Sequence, residues 1–262
     1  MAKHAHIAPP EIPETEELYP NKPSGFTTVA EADMTERFLW PQSTESAIHG
    51  SWWEWEYGNP RTILYDEPAP QSHGFFRTHY EEGRSGGTAP VNWGGWDGHT
   101  TEYEEIYFSQ WIRLVGDDFE SHPVGTKLGF FGVGEGPEFA ANEGFFFLQS
   151  GLRESFWIRF NQQGTSARNL NPNVYTGPVI FAGEWHHLEM YGRVNDIGQE
   201  NGVMQMWVDG RLVVDYDDVI FRNQENPWAW YAYKCNPTWG GAGYTKSRDD
   251  YIDVSHTYIA GR

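Results

Sequence analysis

The chain has 262 residues, with 37 acidic against 18 basic side chains and a formal net charge of -19, a balance that repels phosphate backbones and anionic bilayers and argues against nucleic acid and membrane surfaces as partners. Its single cysteine, Cys235, excludes an intrachain disulfide and any multi-cysteine zinc site. Aromatic residues make up 16% of the chain and 29 Gly and 16 Pro supply turns, a mixture that favours strands joined by irregular loops over helices.

Residues 1–24, rich in Pro, Glu and His, show no periodicity and read as an extended N-terminal arm outside the core. With the initiator Met removed, Ala2-Lys3-His4 would offer an amine, two amides and an imidazole to Cu(II) or Ni(II), although an incidental terminus is the weightier reading. The start carries no apolar stretch of a secretory signal, and no run approaches the ~20 apolar residues of a membrane span. That leaves a cytosolic protein or one whose signal has been removed.

From Gly25 onward, short alternating or aromatic-rich stretches separated by turn signals predict a single all-β domain over 25–262. The predicted strands are Gly74 to Tyr80, Glu104 to Leu114, Lys127 to Val133, Gly144 to Ser150, Ser155 to Asn161, Trp185 to Asn195, Gly202 to Val208, Arg211 to Asp215 and Tyr251 to Ile259. Glu81 to His99 reads as a Gly-rich loop carrying Trp93 and Trp96, and Thr165 to Pro178 as a polar one; loops of such length are often functional. Asp209-Gly210, between the apolar runs Val203 to Val208 and Arg211 to Val214, predicts a two-residue hairpin turn.

The stretch Gly183-Glu184-Trp185-His186-His187-Leu188-Glu189, followed by Asn201-Gly202 and Trp207-Val208-Asp209-Gly210, resembles a recurring pattern of the concanavalin A-like lectin/glucanase superfamily, in its polysaccharide-lyase-like and laminin-G-like branch. Tyr107 to Leu114 is similar to the central strand of that family, and Tyr251 to Ile259 to its closing strand. The resemblance spans most of residues 23 to 262. It implies a jelly-roll β-sandwich of two antiparallel sheets with one concave face, a bacterial protein acting on or binding polysaccharide, and an extracellular or cell-surface location. No cofactor is required, but such jelly rolls often hold a structural Ca²⁺, for which Asp249, Asp250 and Asp253 are the candidate ligands against the alternative of solvated turn acids. Fold analogy does not name the reaction.

Strand alternation groups Trp185, His187, Glu189, Tyr191 and Arg193 on one face and His186, Leu188 and Met190 on the other. The apolar set points inward, so the first set lies on the outer face. The same rule pairs Arg77 with His79, and places Tyr107, Ser109, Trp111 and Arg113 outside while Ile106, Phe108, Gln110, Ile112 and Leu114 point in. Such a platform suits an acidic glycan: Arg77, Arg113 and Arg193 to pair with uronate carboxylates, Trp111 and Tyr191 to stack on sugar rings, His187, Glu189, Trp93 and Trp96 as further substrate contacts, and His79 or Tyr191 as the base of a β-elimination. Ordinary same-face polar contacts are the competing account of Glu189 and Arg193. A hydrolase needs two carboxylates ~5–9 Å apart, and Glu54, Glu56 and the acids of 102–105 do not form the expected run. The leading expectation is therefore a lyase cleaving a uronate-containing polysaccharide, with a non-catalytic lectin-like module and an oligomer-forming structural subunit as the alternatives.

Overall fold

The computed structural model describes residues 18–32, 53–56, 62–65, 67–72, 74–97, 101–134, 143–152, 154–162 and 167–262. Ala2-Lys3-His4 and most of the arm lie outside the described residues, as do the side chains of Glu54, Glu56, Trp93 and Trp96. Among the described residues sixteen strands follow in chain order: β1 Thr27–Ala32, β2 Trp53–Glu56, β3 Thr62–Tyr65, β4 Phe75–Tyr80, β5 Val91–Asp97, β6 Glu105–Leu114, β7 Thr126–Gly134, β8 Glu143–Leu152, β9 Ser155–Gln162, β10 Arg168–Leu170, β11 Ile180–Phe181, β12 Trp185–Arg193, β13 Gly202–Val208, β14 Arg211–Val219, β15 Trp228–Cys235 and β16 Asp250–Gly261. They form two antiparallel sheets, as expected for a jelly-roll sandwich. Sheet A runs β14-β13-β12-β6-β16-β4-β3 with β1 also on β16, and sheet B runs β10-β9-β8-β7-β15-β5-β2 with β11 also on β9. Among the described residues no helix is long and apolar enough to cross a membrane.

All nine predicted strands are present, and the hairpin forms with Asp209 and Gly210 both at positive φ, 51° and 74°, the backbone that a two-residue turn matched to strand twist requires. The Gly-rich segment departs from expectation. Its second half is β5, paired with β15 and β2, because non-local pairing overrides the loop signal that Gly94 and Gly95 give locally. Trp93 and Trp96 therefore belong to sheet B. β15, whose Trp228-Ala229-Trp230 also suggests a sugar-stacking wall, lies inside sheet B and buries Trp230 completely.

The core fills the space between the sheets. Phe108 of β6 meets Phe131 of β7 edge-on at 5.2 Å and Tyr233 of β15 at 4.8 Å, geometry that aromatic quadrupoles favour. Gln110, the polar residue of the inward set, is buried with its amide donating to Tyr233 Oη at 3.0 Å and Thr257 Oγ1 at 2.9 Å. Gly192 sits in the interior of β12 because a Cβ there would come within 2.6 Å of the Trp230 indole. On the outer side of sheet A, Tyr19 is also buried and forms a small second apolar cluster with Tyr107, Tyr258 and Ala260, so the last residues of the arm pack on the sandwich.

Candidate active site

The outer face of sheet A carries most of the predicted site residues, and inter-strand register sorts them into rows. His79 lies beside Tyr251. The next row is Trp185–Arg113–Asp253–Arg77 across β12, β6, β16 and β4. Then come His187–Trp111–Ser255 and Glu189–Ser109–Tyr258, the latter continuing to Glu31 of β1. Tyr191–Tyr107–Ala260 follows, and Arg193–Glu105 ends the series. Successive rows are ~7 Å apart, so the four expected catalytic residues divide: Arg77 and His79 stand at one end, Tyr191 and Arg193 at the other, ~20 Å or more away. They do not converge on one bond.

At the first end, one carboxylate holds two guanidinium groups. Arg77 donates through Nε and Nη2 to Asp253 Oδ1 and Oδ2 at 2.7 and 2.9 Å, and Arg113 through Nε and Nη2 to Oδ2 at 2.9 and 2.6 Å. Asp253 is fully buried, while the arginine side chains keep 22% and 25% of their exposure. The hydrogen bonds that Arg77 donates to Asp253 raise its pKa, so its charge is fixed. Two cations on one anion leave a formal excess of one positive charge, in a chain that is otherwise strongly acidic. Aromatic rings line it: Arg113 lies over Trp185 at 4.6 Å and over Phe75 at 5.3 Å, and Arg77 over Tyr65 at 4.7 Å. Such rings favour a guanidinium against their faces.

Two rows away the face is sealed. Glu189 is fully buried and accepts from Tyr107 Oη at 2.5 Å, Asn21 Nδ2 at 2.8 Å and Asn21 N at 3.3 Å. Tyr19 stacks on Tyr258 at 4.0 Å with the planes 16° apart, and Lys22 Nζ donates to Tyr258 Oη at 3.2 Å. Burial and the neighbouring Glu189 both hold the Tyr107 phenol well above its ordinary range. Residues 18–22 thus form a strap across this half of the face.

His187 stands at the boundary. Its Nε2 is 2.7 Å from Ser109 Oγ, its ring stacks on Trp111 at 4.7 Å and 8°, and its Nδ1 is 3.8 Å from Glu189 Oε2. Burial lowers its pKa against the opposing pull of Glu189 and Asp209, so the imidazole is neutral near pH 7. The carboxylate beside Nδ1 favours the proton there and leaves Nε2 as the acceptor. Trp111 Nε1 is buried and has no hydrogen-bond partner among the described residues.

Tyr191 donates to Glu105 Oε2 at 2.7 Å, and burial followed by that bond pushes its pKa up to about 12. Arg193 is exposed and donates to the Asn201 carbonyl at 3.1 Å. His79 Nε2 is 3.2 Å from Asp249 Oδ1, and its ring stacks on Tyr251. The three aspartates considered for calcium diverge: Asp249 accepts from Glu82 N, Asp250 turns to buried Lys246 at 2.5 Å and Arg248 at 3.3 Å, and Asp253 binds the arginines. No group of three or more metal-ligating side chains occurs among the described residues. Sequence reasoning missed Ser109 as the partner of His187 and Asn21 as the partner of Glu189; strand alternation places Ser109 on the correct face, but nothing local signals Asn21.

No family model matches the chain, and no curated protein does. Solved structures do. A mutant of alginate lyase Aly36B in complex with alginate trisaccharide aligns at TM-score 0.60 and 14% identity over 80% of this chain and 88% of its own. The marine PL-14 alginate lyase from Aplysia kurodai aligns at 0.61 and 13% over 90% and 100%, and an endo-β-1,4-glucuronan lyase from Trichoderma reesei at 0.52 and 11% over 79% and 90%. At these identities the likeness is one of fold.

Proposed function

We propose that this protein is a polysaccharide lyase of the concanavalin A-like type, cleaving a uronate-containing glycan by β-elimination on the open half of the outer face. The observation that carries the reading is the adjacency of an under-neutralised guanidinium pair, Arg77 and Arg113, to the row holding a neutral imidazole, His187. β-Elimination requires both: a cation that withdraws charge from the carboxylate, which acidifies the α-carbon, and a base that takes the proton. Arg113 Nη1 makes no hydrogen bond among the described residues and is free to meet a carboxylate, and Trp185 and Trp111 offer rings to the sugar. The α C–H bond breaks with its proton going to His187 Nε2, directly or through Ser109. The electron pair forms the C=C bond as the glycosidic C–O bond breaks, and the leaving oxygen takes its proton from water. The fold shared with alginate and glucuronan lyases supports the assignment. It also fits an acidic protein, since the attraction is local and screened from the distant surface charges.

The test is absorbance at about 235 nm, where the unsaturated product absorbs, during incubation with a panel of uronate polysaccharides. His187→Gln is expected to lower kcat by about 10²–10⁴-fold and Arg113→Ala by about 10²–10³-fold, with Tyr191→Phe near the parent value. Loss with His79→Ala but not His187→Gln would move the base to the other flank of the arginines and overturn the assignment. A flat trace with retained glycan binding would make the protein a lectin-like module.

A further inference from the structure

The strap is bound to the sheet by more than shape. Leu18 O accepts from Gln71 Nε2 at 3.2 Å, Tyr19 is clamped on Tyr258, and Lys22 N donates to Tyr19 O at 3.0 Å, closing a tight turn. That turn aims two donors of one residue, the Asn21 backbone N–H and side-chain amide, at the two oxygens of Glu189. Tyr107 Oη also donates to Oε1. Oε2, whose donor is Asn21 Nδ2, is the oxygen that faces His187 Nδ1 at 3.8 Å. His187 in turn meets Ser109 through Nε2.

We infer that Asn21 is a positioning residue of the active site, which holds Glu189 Oε2 against His187 Nδ1 and thereby fixes the tautomer and basicity of the imidazole. This rests on the lyase reading for its catalytic meaning, but its physical content is independent of that reading. A carboxylate whose charge is shared among three donors exerts a weaker field on a neighbour than one that has lost the donor on its facing oxygen. Asn21 therefore keeps Glu189 close enough to orient the ring and sufficiently satisfied not to protonate it. The other titratable groups around His187 are Asp209, whose Oδ1 accepts from the His187 backbone N–H at 2.8 Å, Tyr107 on β6, and His256 on β16 with Glu31 and Tyr19 behind it. These belong to the sheet, the β13–β14 turn and Tyr19, and none of them is altered in chemical identity by a substitution at Asn21.

Two substitutions in the full chain test this. Asn21→Asp is nearly isosteric and places a second carboxylate on Glu189, and Asn21→Ala removes the side-chain donor without adding charge. The His187 ring resonances, assigned by difference against His187→Gln, are followed by NMR from pH 4 to 9, with folding checked by circular dichroism. The expected result is a His187 titration midpoint at higher pH in both variants, further in Asn21→Asp. The elimination rate constant kcat/KM then falls about tenfold at pH 6 while remaining within about twofold of the parent at pH 9, because the base is protonated only on the acid side. An unmoved His187 titration in either folded variant overturns the inference, whatever the activity, since a merely structural strap would lower stability and leave that midpoint in place. Absent elimination in the parent with a shifted titration would defeat the lyase reading and leave the positioning role intact.

Discussion

The row of Arg77 and Arg113 and the row of Glu189 and Ser109 lie on one face of one sheet, ~13 Å apart, and differ in almost every physical respect. Both centre on a fully buried carboxylate, Asp253 in the first and Glu189 in the second. Asp253 faces two charged guanidinium groups that reach solvent, whereas Glu189 is surrounded by a phenol, an amide and a backbone N–H brought by the chain itself. The first row therefore ends with a charge excess that a ligand can meet. The second is closed to one by residues 18–22. Strand alternation makes the two rows equivalent; the strap makes them different, and His187 sits where the difference is steepest.

The largest expected effect comes from removing the carboxylate of the open row. Asp253→Ala leaves two guanidinium groups facing each other without their buried counter-ion, and we expect a loss of about 3–5 kcal/mol in urea unfolding. Asp253→Ala combined with Arg77→Leu should recover a large part of it, because one cation then remains at a partly exposed site. If the single substitution cost less than about 1 kcal/mol, solvent would already screen the row and its contrast with the covered half would disappear.

On the covered half, Tyr19→Ala removes the stack on Tyr258 and the cap over Tyr107, a loss on the order of 2 kcal/mol. The sharper observable is local. Hydrogen exchange at β1 and at the outer-face end of β16 should rise by more than at β4, since the strap seals the former and not the latter. Equal exchange changes at both ends would mean that the strap does not partition the face.

The face itself was legible in sequence, and the rows were not. A period of two in Phe75 to Tyr80, Glu105 to Leu114 and Trp185 to Arg193 assigns each side chain to a side, and the structure bears out that division for all three strands. Where along the face a residue stands depends on pairing with strands more than fifty residues distant, for which alternation carries no information. That is why His79 and Tyr191 look like alternatives for one role yet lie at opposite ends, and why Asp253, in sequence a candidate calcium ligand or solvated turn acid, lies between Arg77 and Arg113. Trp93 and Trp96 illustrate the converse: their glycine neighbours read as loop, and only the partners β2 and β15 make a strand of them. Tyr19 and Asn21 left no signal, because an extended segment held by side-chain contacts has no periodicity to detect.

A third prediction concerns pH at the boundary between the two halves. Burial depresses the folded-state pKa of His187, and that of His122 in the β6–β7 connection, below the ordinary histidine value. The unfolded chain then binds more protons than the folded one as pH falls through about 6.5. Stability is expected to be level from pH 7 to 8 and to decline below about 6.5, and His187→Gln should flatten part of that decline in a series of thermal melts. An unchanged slope would place the acid sensitivity elsewhere and remove the steep change in environment that the boundary position implies.

The smallest effect is expected at the Tyr191–Arg193 end of the face, one of the two ends between which the expected catalytic residues divide. Arg193 is exposed, bonds a single backbone carbonyl and lies four rows from Arg113, so Arg193→Ala should change stability by less than about 0.5 kcal/mol. It should likewise leave uronate binding and elimination within about twofold of the parent, measured beside Arg113→Ala under the same salt, because a solvated charge at that distance is screened within a Debye length or two. The comparison is a demanding one, since both residues are arginines on outer-facing positions of paired central strands and differ mainly in row. A loss with Arg193→Ala as large as that with Arg113→Ala would show that glycan spans the whole face, which the strap would then have to leave for binding to occur.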